Sequence, residues 1–133
     1  MKFSVLVKMV GIALATLSFA SCAITPEIQA KMDEYARTIP TCANAAACQA
    51  KWNMALAWVE ANSDFGIRSA SADRILATTN TNSDSGIGIT VHRVAAANGG
   101  FQITVDMDCL SGYGCPTLWD KMVDFNRSVN TAN

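Results

Sequence analysis

Two cysteine pairs with the same spacing are the strongest constraint on how this chain folds. Five residues separate Cys42 from Cys48, and five separate Cys109 from Cys115. An even number of cysteines is typical of an exported domain that folds in an oxidising compartment. Four cysteines allow three disulfide connectivities. We favour the two local pairs, because each five-residue segment suits a junction between a loop and a helix.

The same four thiols could instead bind zinc. Paired zinc ligands are usually separated by about two to four residues, which is fewer than the five found here. The one histidine, His92, is far from either pair in the sequence. We therefore expect two disulfides and no metal.

The fifth cysteine, Cys22, follows a hydrophobic N-terminal segment. A short basic start and an apolar run over residues 9–20 lead to two small residues, Ala20 and Ser21. The run is too short to cross a bilayer comfortably, which takes about 20 apolar residues. Its positive start and small-residue end are typical of a processed signal peptide rather than of a retained membrane helix.

The stretch Phe19-Ala20-Ser21-Cys22 resembles the lipobox of bacterial lipoprotein signal peptides. In that family the cysteine sulfur receives a diacylglycerol, the preceding peptide is removed, and the new amino terminus is acylated. The resemblance implies a signal peptide over residues 1–21 and one mature domain over residues 22–133, held in the membrane by lipid on Cys22. Secretion with cleavage near Ala20 is the alternative.

The residue after Cys22 bears on which membrane would receive the domain. It is Ala23, not the Asp that in this family often signals retention in the inner membrane. The resemblance therefore implies an outer-membrane lipoprotein that faces the periplasm.

Charge argues against a nucleic-acid partner. The 133 residues include 10 Lys and Arg against 11 Asp and Glu, and no basic run occurs. Binding to nucleic acid needs a concentrated positive surface. The length fits a single domain after removal of the signal peptide.

Three segments have helical periodicity. The first is capped by Thr25 and ends before Pro40, the second covers residues 44–62, and the third starts at Thr117 with a pattern similar to a capping box. The first carries one apolar stripe, which we expect to pack on the domain rather than on the membrane.

The second predicted helix contains Trp52 and Trp58. Two tryptophans on one helix can line a ligand groove, but they are more often anchors of a hydrophobic core. We therefore expect both rings in the core.

After the second helix the apolar residues begin to alternate, which predicts strands. They cover residues 67–71, 74–79, 87–91 and 101–107. Asn98-Gly99 is a good signal for a two-residue hairpin turn, but that turn would place the apolar residues of the third strand on the wrong face. We therefore expect a longer loop or a bulge within residues 93–100.

The order of helix, helix, strands and helix predicts an α+β fold. We expect an antiparallel sheet of three or four strands, covered on one face by two or three helices and stapled by disulfides. The mature domain also loosely resembles small uncharacterised exported proteins of Gram-negative bacteria, through the two cysteine pairs, a tryptophan soon after the first pair, and Phe125-Asn126. This resemblance implies no activity.

Few residues suggest chemistry. His92 is expected on the solvent face of a strand near Asp106 and Asp108, where we interpret it as a surface histidine rather than a catalytic base. The spacing of acidic and amide residues over 80–86 starts like a calcium loop, but Ser85 stands where that loop needs glycine and Val91 where it needs glutamate. We expect no catalytic residue, no metal and no cofactor.

Two functions remain. The first is a non-enzymatic, membrane-anchored interaction or assembly module of the cell envelope, with an envelope protein as partner and the exposed sheet face or an edge strand as contact surface. The alternative is a small periplasmic inhibitor or immunity protein against a hydrolase. Its active element would be a loop, either residues 110–114 or residues 80–86. A weaker third possibility is an enzyme that uses His92 and Asp106.

Overall fold

A five-stranded antiparallel sheet lies at the centre of the structure, a computed structural model that describes residues 23–81 and 84–133. The elements are α1 Pro26–Thr38, β1 Thr41–Cys42, α2 Ala45–Asn62, β2 Ser69–Ala70, β3 Arg74–Ala77, β4 Ile87–Ala95, β5 Phe101–Cys109 and α3 Leu118–Asn130. The strand order across the sheet is β1-β5-β4-β3-β2. The predicted α+β class is confirmed, with five strands where three or four were expected. The predicted signal peptide and Cys22 lie outside the described residues.

The additional strand is β1. Thr41 and Cys42 pair with Gln102 and Phe101 at the start of β5, and Ile103 donates its N–H to the carbonyl oxygen of Pro40 at 2.9 Å. Two residues are too few for an alternating pattern, so no periodicity predicts this strand.

The predicted N-cap of α1 is confirmed, and the predicted capping box of α3 is wrong. The Thr25 hydroxyl accepts the N–H of Ile28, and the Asn44 side chain accepts the N–H of Ala47, so α1 and α2 are capped as ordinary N-caps. At α3, Thr117 makes no side-chain capping bond, so the predicted capping box is wrong. Asp120, its expected partner, instead forms an ion pair with Lys31 of α1.

The long hairpin β4–β5 has the register that the apolar pattern required. Val91 lies opposite Val105, and Ile89 lies opposite Met107. A loop over residues 96–100 closes the hairpin through a bond of 2.7 Å from the Ala96 N–H to the Gly100 carbonyl. Gly99 has φ of +94°, which glycine adopts without strain. The prediction of a loop longer than two residues is confirmed.

All three helices contribute to one apolar core on the inner face of the sheet. Trp52 and Trp58 are both buried, which confirms them as core residues, and the Trp58 ring meets Phe125 edge-to-face with centroids 5.3 Å apart. The sheet contributes the buried side chains of its inner face: Ile75, Ala77, Ile87, Ile89, Val91, Ile103, Val105 and Met107. None of the helices within residues 23–81 and 84–133 is long and apolar enough to span a membrane.

Helices α1 and α3 run parallel. Lys31 pairs with Asp120 at 2.5 Å near their starts, and Glu34 pairs with Arg127 further along. Helix α2 runs antiparallel to α3, because the ammonium of Lys121 lies 3.4 Å from the carbonyl oxygen of Asn62 at the end of α2. The predicted packing of α1 on the domain therefore agrees with the structure.

These directions give the domain two distinct ends. We call one of them the proximal end. It holds the starts of α1 and α3, the last turn of α2 and the segment 109–115. The opposite end, with the loop 96–100 and the segment 42–48, is called the distal end.

Both predicted local disulfides are formed. The Cys109–Cys115 bond lies at the proximal end and the Cys42–Cys48 bond at the distal end. Cys42 is bonded to Cys48 with an S–S distance of 2.01 Å, and Cys109 to Cys115 with 2.14 Å. In the described part of the chain, no group of three or more His, Cys, Asp or Glu side chains is placed to hold a metal ion.

Candidate interaction surface

The strongest candidate for a functional surface is the face of the sheet opposite the core. The strand pairings place one set of side chains on this outer face: Arg74, Leu76, Thr78, Thr90, His92, Val94, Gln102, Thr104, Asp106 and Asp108, with Gly88 among them. All of these residues are partly or fully exposed except Gly88. An antiparallel sheet commonly keeps one face in solvent. The face is therefore accessible, and its composition decides what it can bind.

Polar and apolar groups form rows across the three central strands. His92 lies between Arg74 and Thr104, and in the next row Thr90 lies between Leu76 and Asp106. The carboxylates of Asp106 and Asp108 lie toward the proximal end, and the cationic Arg74 lies toward the distal end. The face therefore offers hydrogen-bond donors, acceptors and a charge gradient along the strands.

The predicted neighbourhood of His92 is correct. Its Nε2 lies 3.8 Å from a carboxylate oxygen of Asp106, and both side chains are substantially exposed. This separation is longer than a hydrogen bond. Asp108 shares the face one row further along, opposite Gly88. The arrangement suits recognition by charge and hydrogen bonding, because water reaches both groups freely.

Leu110 extends the outer face beyond the end of β5. Its N–H donates to the carbonyl oxygen of Gly86 at 2.8 Å, and a Cβ built on Gly88 would lie 3.6 Å from the Leu110 Cδ1 atom. The same Cβ would lie 2.5 Å from the hydroxyl oxygen of Thr78. This contact was not predicted. A glycine inside a strand was the available signal, because it often marks a place where another group approaches closely.

The segment 110–114 is closed by the disulfide between Cys109 and Cys115. Inside it, the Gly114 N–H donates to the Ser111 carbonyl at 3.1 Å, and the Tyr113 N–H donates to the Ser111 hydroxyl at 3.3 Å. Gly114 has φ of +84°. These constraints hold the Tyr113 ring in a fully exposed position at the proximal end. The loop named by the sequence analysis thus presents an aromatic side chain from a stapled backbone.

The other predicted loop, residues 80–86, is described except for residues 82 and 83. The Asp84 carboxylate accepts hydrogen bonds from the hydroxyls of Thr79 and Thr81. These bonds favour the ionised form and lower the pKa of Asp84. Both hydroxyls donate to the same carboxylate oxygen, Oδ2 of Asp84, so the described part of the loop is organised by its own side chains.

Two open clefts flank the sheet. One of about 290 Å³ lies at the distal end against Thr41, Cys42 and Phe101. The other, of about 530 Å³, lies between Asp64-Phe65 and residues 78–81. Both are broad surface depressions rather than enclosed sites, so the exposed sheet face and the stapled loop remain the better candidates.

No protein-family model, no curated protein and no solved structure gives a significant match to this chain. Function is therefore argued from the residues and their geometry.

Proposed function

We propose that this chain is a non-enzymatic lipoprotein of the bacterial cell envelope, anchored through acylated Cys22, that binds an envelope protein with the outer face of its sheet. Outer-membrane attachment with the domain in the periplasm follows from Ala23 at mature position 2. The choice of contact surface rests on the exposure of the outer face, where Leu76 and Val94 lie among charged and hydroxyl groups. Protein interfaces combine apolar and polar area in this way.

One further observation supports export, and a second bears on the position of the anchored domain. Both disulfides close short loops in a domain whose core is already continuous, which suits an oxidising compartment. Helix α1 begins at Pro26, so only three residues lie between Cys22 and the folded domain. A lipid on Cys22 would therefore hold the domain close to the membrane.

The anchor is tested by replacing Cys22 with Ser. We expect the wild-type protein to fractionate with membranes. The Cys22→Ser variant, with a cleavable secretory signal peptide in place of residues 1–21, should become soluble while keeping both disulfides and its thermal unfolding transition. A Cys22→Ser protein that stays in the membrane fraction would contradict the lipoprotein assignment.

The contact surface is tested with a photo-reactive amino acid at Thr104, in the middle of the outer face. The matched control carries the same group at Glu60, which is exposed on α2. Irradiation of living cells should join one envelope protein reproducibly to the Thr104 position and not to the Glu60 position. Equal capture from both positions, or none from Thr104, would reject the outer face as the contact surface.

The geometry of Tyr113 favours a second candidate, a periplasmic inhibitor of a hydrolase. A rigid loop that projects an aromatic side chain loses little conformational entropy when it enters a partner's cleft. In this case a photo-reactive group at Tyr113 should capture a hydrolase, and only after challenge of the cells with that enzyme. Loss of inhibition in a Tyr113→Ala variant would place this function first.

A further inference from the structure

Three of the five exposed large hydrophobic side chains of the described residues lie at the proximal end of the domain, and they include the two most exposed ones. Among the described residues, Tyr113 is 102% exposed, Ile24 56% and Leu110 39%. Of the other large hydrophobic side chains with high exposure, Val94 and Phe101 lie near the distal loop, at 42% and 41%. Exposed apolar groups gathered in one region indicate an interaction site more strongly than single scattered ones.

The chain path explains why Ile24 and the stapled loop share one end. Helix α1 starts two residues after Ile24, and its Lys31 reaches Asp120 in the first turn of α3. The N–H of Leu118, where α3 starts, donates to the carbonyl oxygen of Cys115 at 3.2 Å. The disulfide then places Cys109 and the loop 110–114 beside this helix start. The start of the folded chain and the Tyr113 loop therefore lie at the same end.

The short linker limits how far this end can move from an acylated Cys22. Four residue steps lead from Cys22 to Pro26, which extends to about 14 Å at most. A bilayer that holds the acyl groups would therefore remain within reach of the proximal end. Tyrosine has an apolar ring and a polar hydroxyl, and it is enriched at the level of lipid headgroups. Leucine beside it contributes apolar area.

The charges at this end indicate which lipid surface fits. Glu27, Asp64, Asp108 and Asp120 lie there together with Lys31 and Lys121. Lys31 pairs with Asp120 and the Lys121 ammonium lies 3.9 Å from the Asp64 carboxylate, so the carboxylates of Glu27 and Asp108 are in excess among these groups. Anionic headgroups would repel these carboxylates, because polybasic rather than acidic segments bind such surfaces. A zwitterionic phospholipid surface imposes no such repulsion.

We propose that Leu110 and Tyr113 form a second membrane contact, in which the stapled loop rests in the headgroup layer of a zwitterionic bilayer and fixes the orientation of the tethered domain. This inference rests on the proposed acylation of Cys22. Strand β5 leads directly into the loop, so its C-terminal end points to the bilayer. The outer face is then turned sideways and stays open to a partner in the envelope.

The experiment uses the rate of tyrosine iodination by a water-soluble reagent. The chain has two tyrosines, and Tyr35 is half-buried while Tyr113 is fully exposed, so mass spectrometry of peptides reports each ring separately. The mature acylated protein is placed in phosphatidylcholine vesicles and compared with the Cys22→Ser protein mixed with the same vesicles. We expect iodination of Tyr113 to slow at least about fivefold in the acylated protein, as expected for a ring held in the interface.

A matched reporter controls for crowding near the vesicle. In a Phe101→Tyr variant, the new ring lies at the distal end and should be iodinated at the same rate in the acylated and soluble proteins. Replacing Leu110 with Asp should restore most of the Tyr113 rate without changing the reporter at 101. If iodination slows equally at Tyr113 and at the tyrosine introduced at position 101, the loop does not make the membrane contact.

The outcomes separate this inference from the proposed function. The mass of the N-terminal peptide first establishes whether Cys22 is acylated, and an unmodified Cys22 would overturn both. An acylated protein whose Tyr113 reacts at the soluble rate would overturn the membrane contact and leave the lipoprotein in place. If Tyr113 is protected from iodination only when an envelope protein is added, the membrane contact is overturned and the loop binds a protein instead.

Discussion

The hydroxyl of Tyr35 donates to the carbonyl oxygen of Val105 at 3.0 Å, and this bond fixes α1 to the edge of β5. The ring also meets Trp119 edge-to-face, with centroids 6.0 Å apart. None of the residues of α1 is fully buried. Tyr35 is therefore the main side chain through which the first helix is attached to the sheet.

Burial, together with the negative charge of Asp106, raises the pKa of Tyr35. The folded protein thus keeps this proton at a pH where the unfolded chain, with a tyrosine pKa of about 10, has begun to lose it. The stability supplied by Tyr35 is present below pH 10 and falls as the pH rises above that value.

A Tyr35→Phe variant should be less stable by about 1 kcal/mol at pH 7, because one hydrogen bond is lost. The difference from wild type should shrink between pH 10 and 11, as measured by urea unfolding. Tyr113→Phe is the matched control and should keep wild-type stability at pH 7. A Tyr35→Phe protein that loses stability above pH 10 as steeply as wild type would refute the assignment.

The two disulfides should contribute unequally to stability. Each closes a loop with a sequence separation of 6, so chain entropy gives both about 2 kcal/mol. Cys42 and Cys48 are buried in addition, whereas Cys109 is exposed. Replacing Cys42 and Cys48 with Ala should therefore cost about 1 kcal/mol more than the same change at the other pair. Equal losses in urea unfolding would show that burial of the sulfurs contributes nothing.

Gly100 is required at the junction of β1 with the hairpin. A Cβ at this position would lie 2.7 Å from the carbonyl oxygen of Cys42, which is backbone and cannot rotate away. Gly100→Ala should destabilise the domain by about 1–3 kcal/mol. The control is Gly66→Ala, since a Cβ there would meet no atom within 4 Å. If thermal unfolding shows both variants to be equally stable, the close approach is not rigid.

Asn126 is a buried polar residue between α3 and α1. Its amide nitrogen donates to the Tyr35 carbonyl at 3.0 Å and to the Thr38 hydroxyl at 3.2 Å. Asn126→Asp should cost about 3 kcal/mol or more at pH 7, because a buried carboxylate replaces a donor. The loss should be smaller at pH 4, where the carboxyl is protonated.

Asn126→Leu is the control for the preceding change. It removes the amide without adding charge, so it should cost less than Asn126→Asp at pH 7 and show no comparable pH dependence. A larger loss in the leucine variant would mean that shape, rather than charge, limits this position.

Sequence patterns predicted the parts of the fold that depend on burial. The requirement that Ile89 and Val91 face the core excluded a two-residue turn at Asn98-Gly99, and the structure has a loop over residues 96–100 instead. The local spacing favoured the cysteine pairing that the structure has, without excluding the other two connectivities. The start of α3 after Thr117 agrees with the prediction, but the capping box was wrong, because Thr117 has φ of −95° and ψ of 6° rather than the extended angles of an N-cap, and Asp120 pairs with Lys31. That ion pair joins two helices, so no local pattern contains the information.

The candidate surface was only partly predictable. The alternation of β5 placed Asp106 and Asp108 on the outer face together with His92, as the structure shows. The position of Leu110 over Gly88 depends on how the chain leaves the sheet after Cys109, so it could not be inferred from periodicity. The exposure of Tyr113 depends in the same way on the loop conformation that the disulfide closes.

The parallel arrangement of α1 and α3 has a mechanical consequence. Because α1 starts at the proximal end and α3 finishes at the distal end, Pro26 and Asn130 lie at opposite ends of the domain. A pull between them would load the contacts of Lys31, Glu34 and Tyr35 with α3 and the sheet in shear. Contacts loaded in this direction must break together rather than one after another, so the domain would resist a pull applied between these two residues.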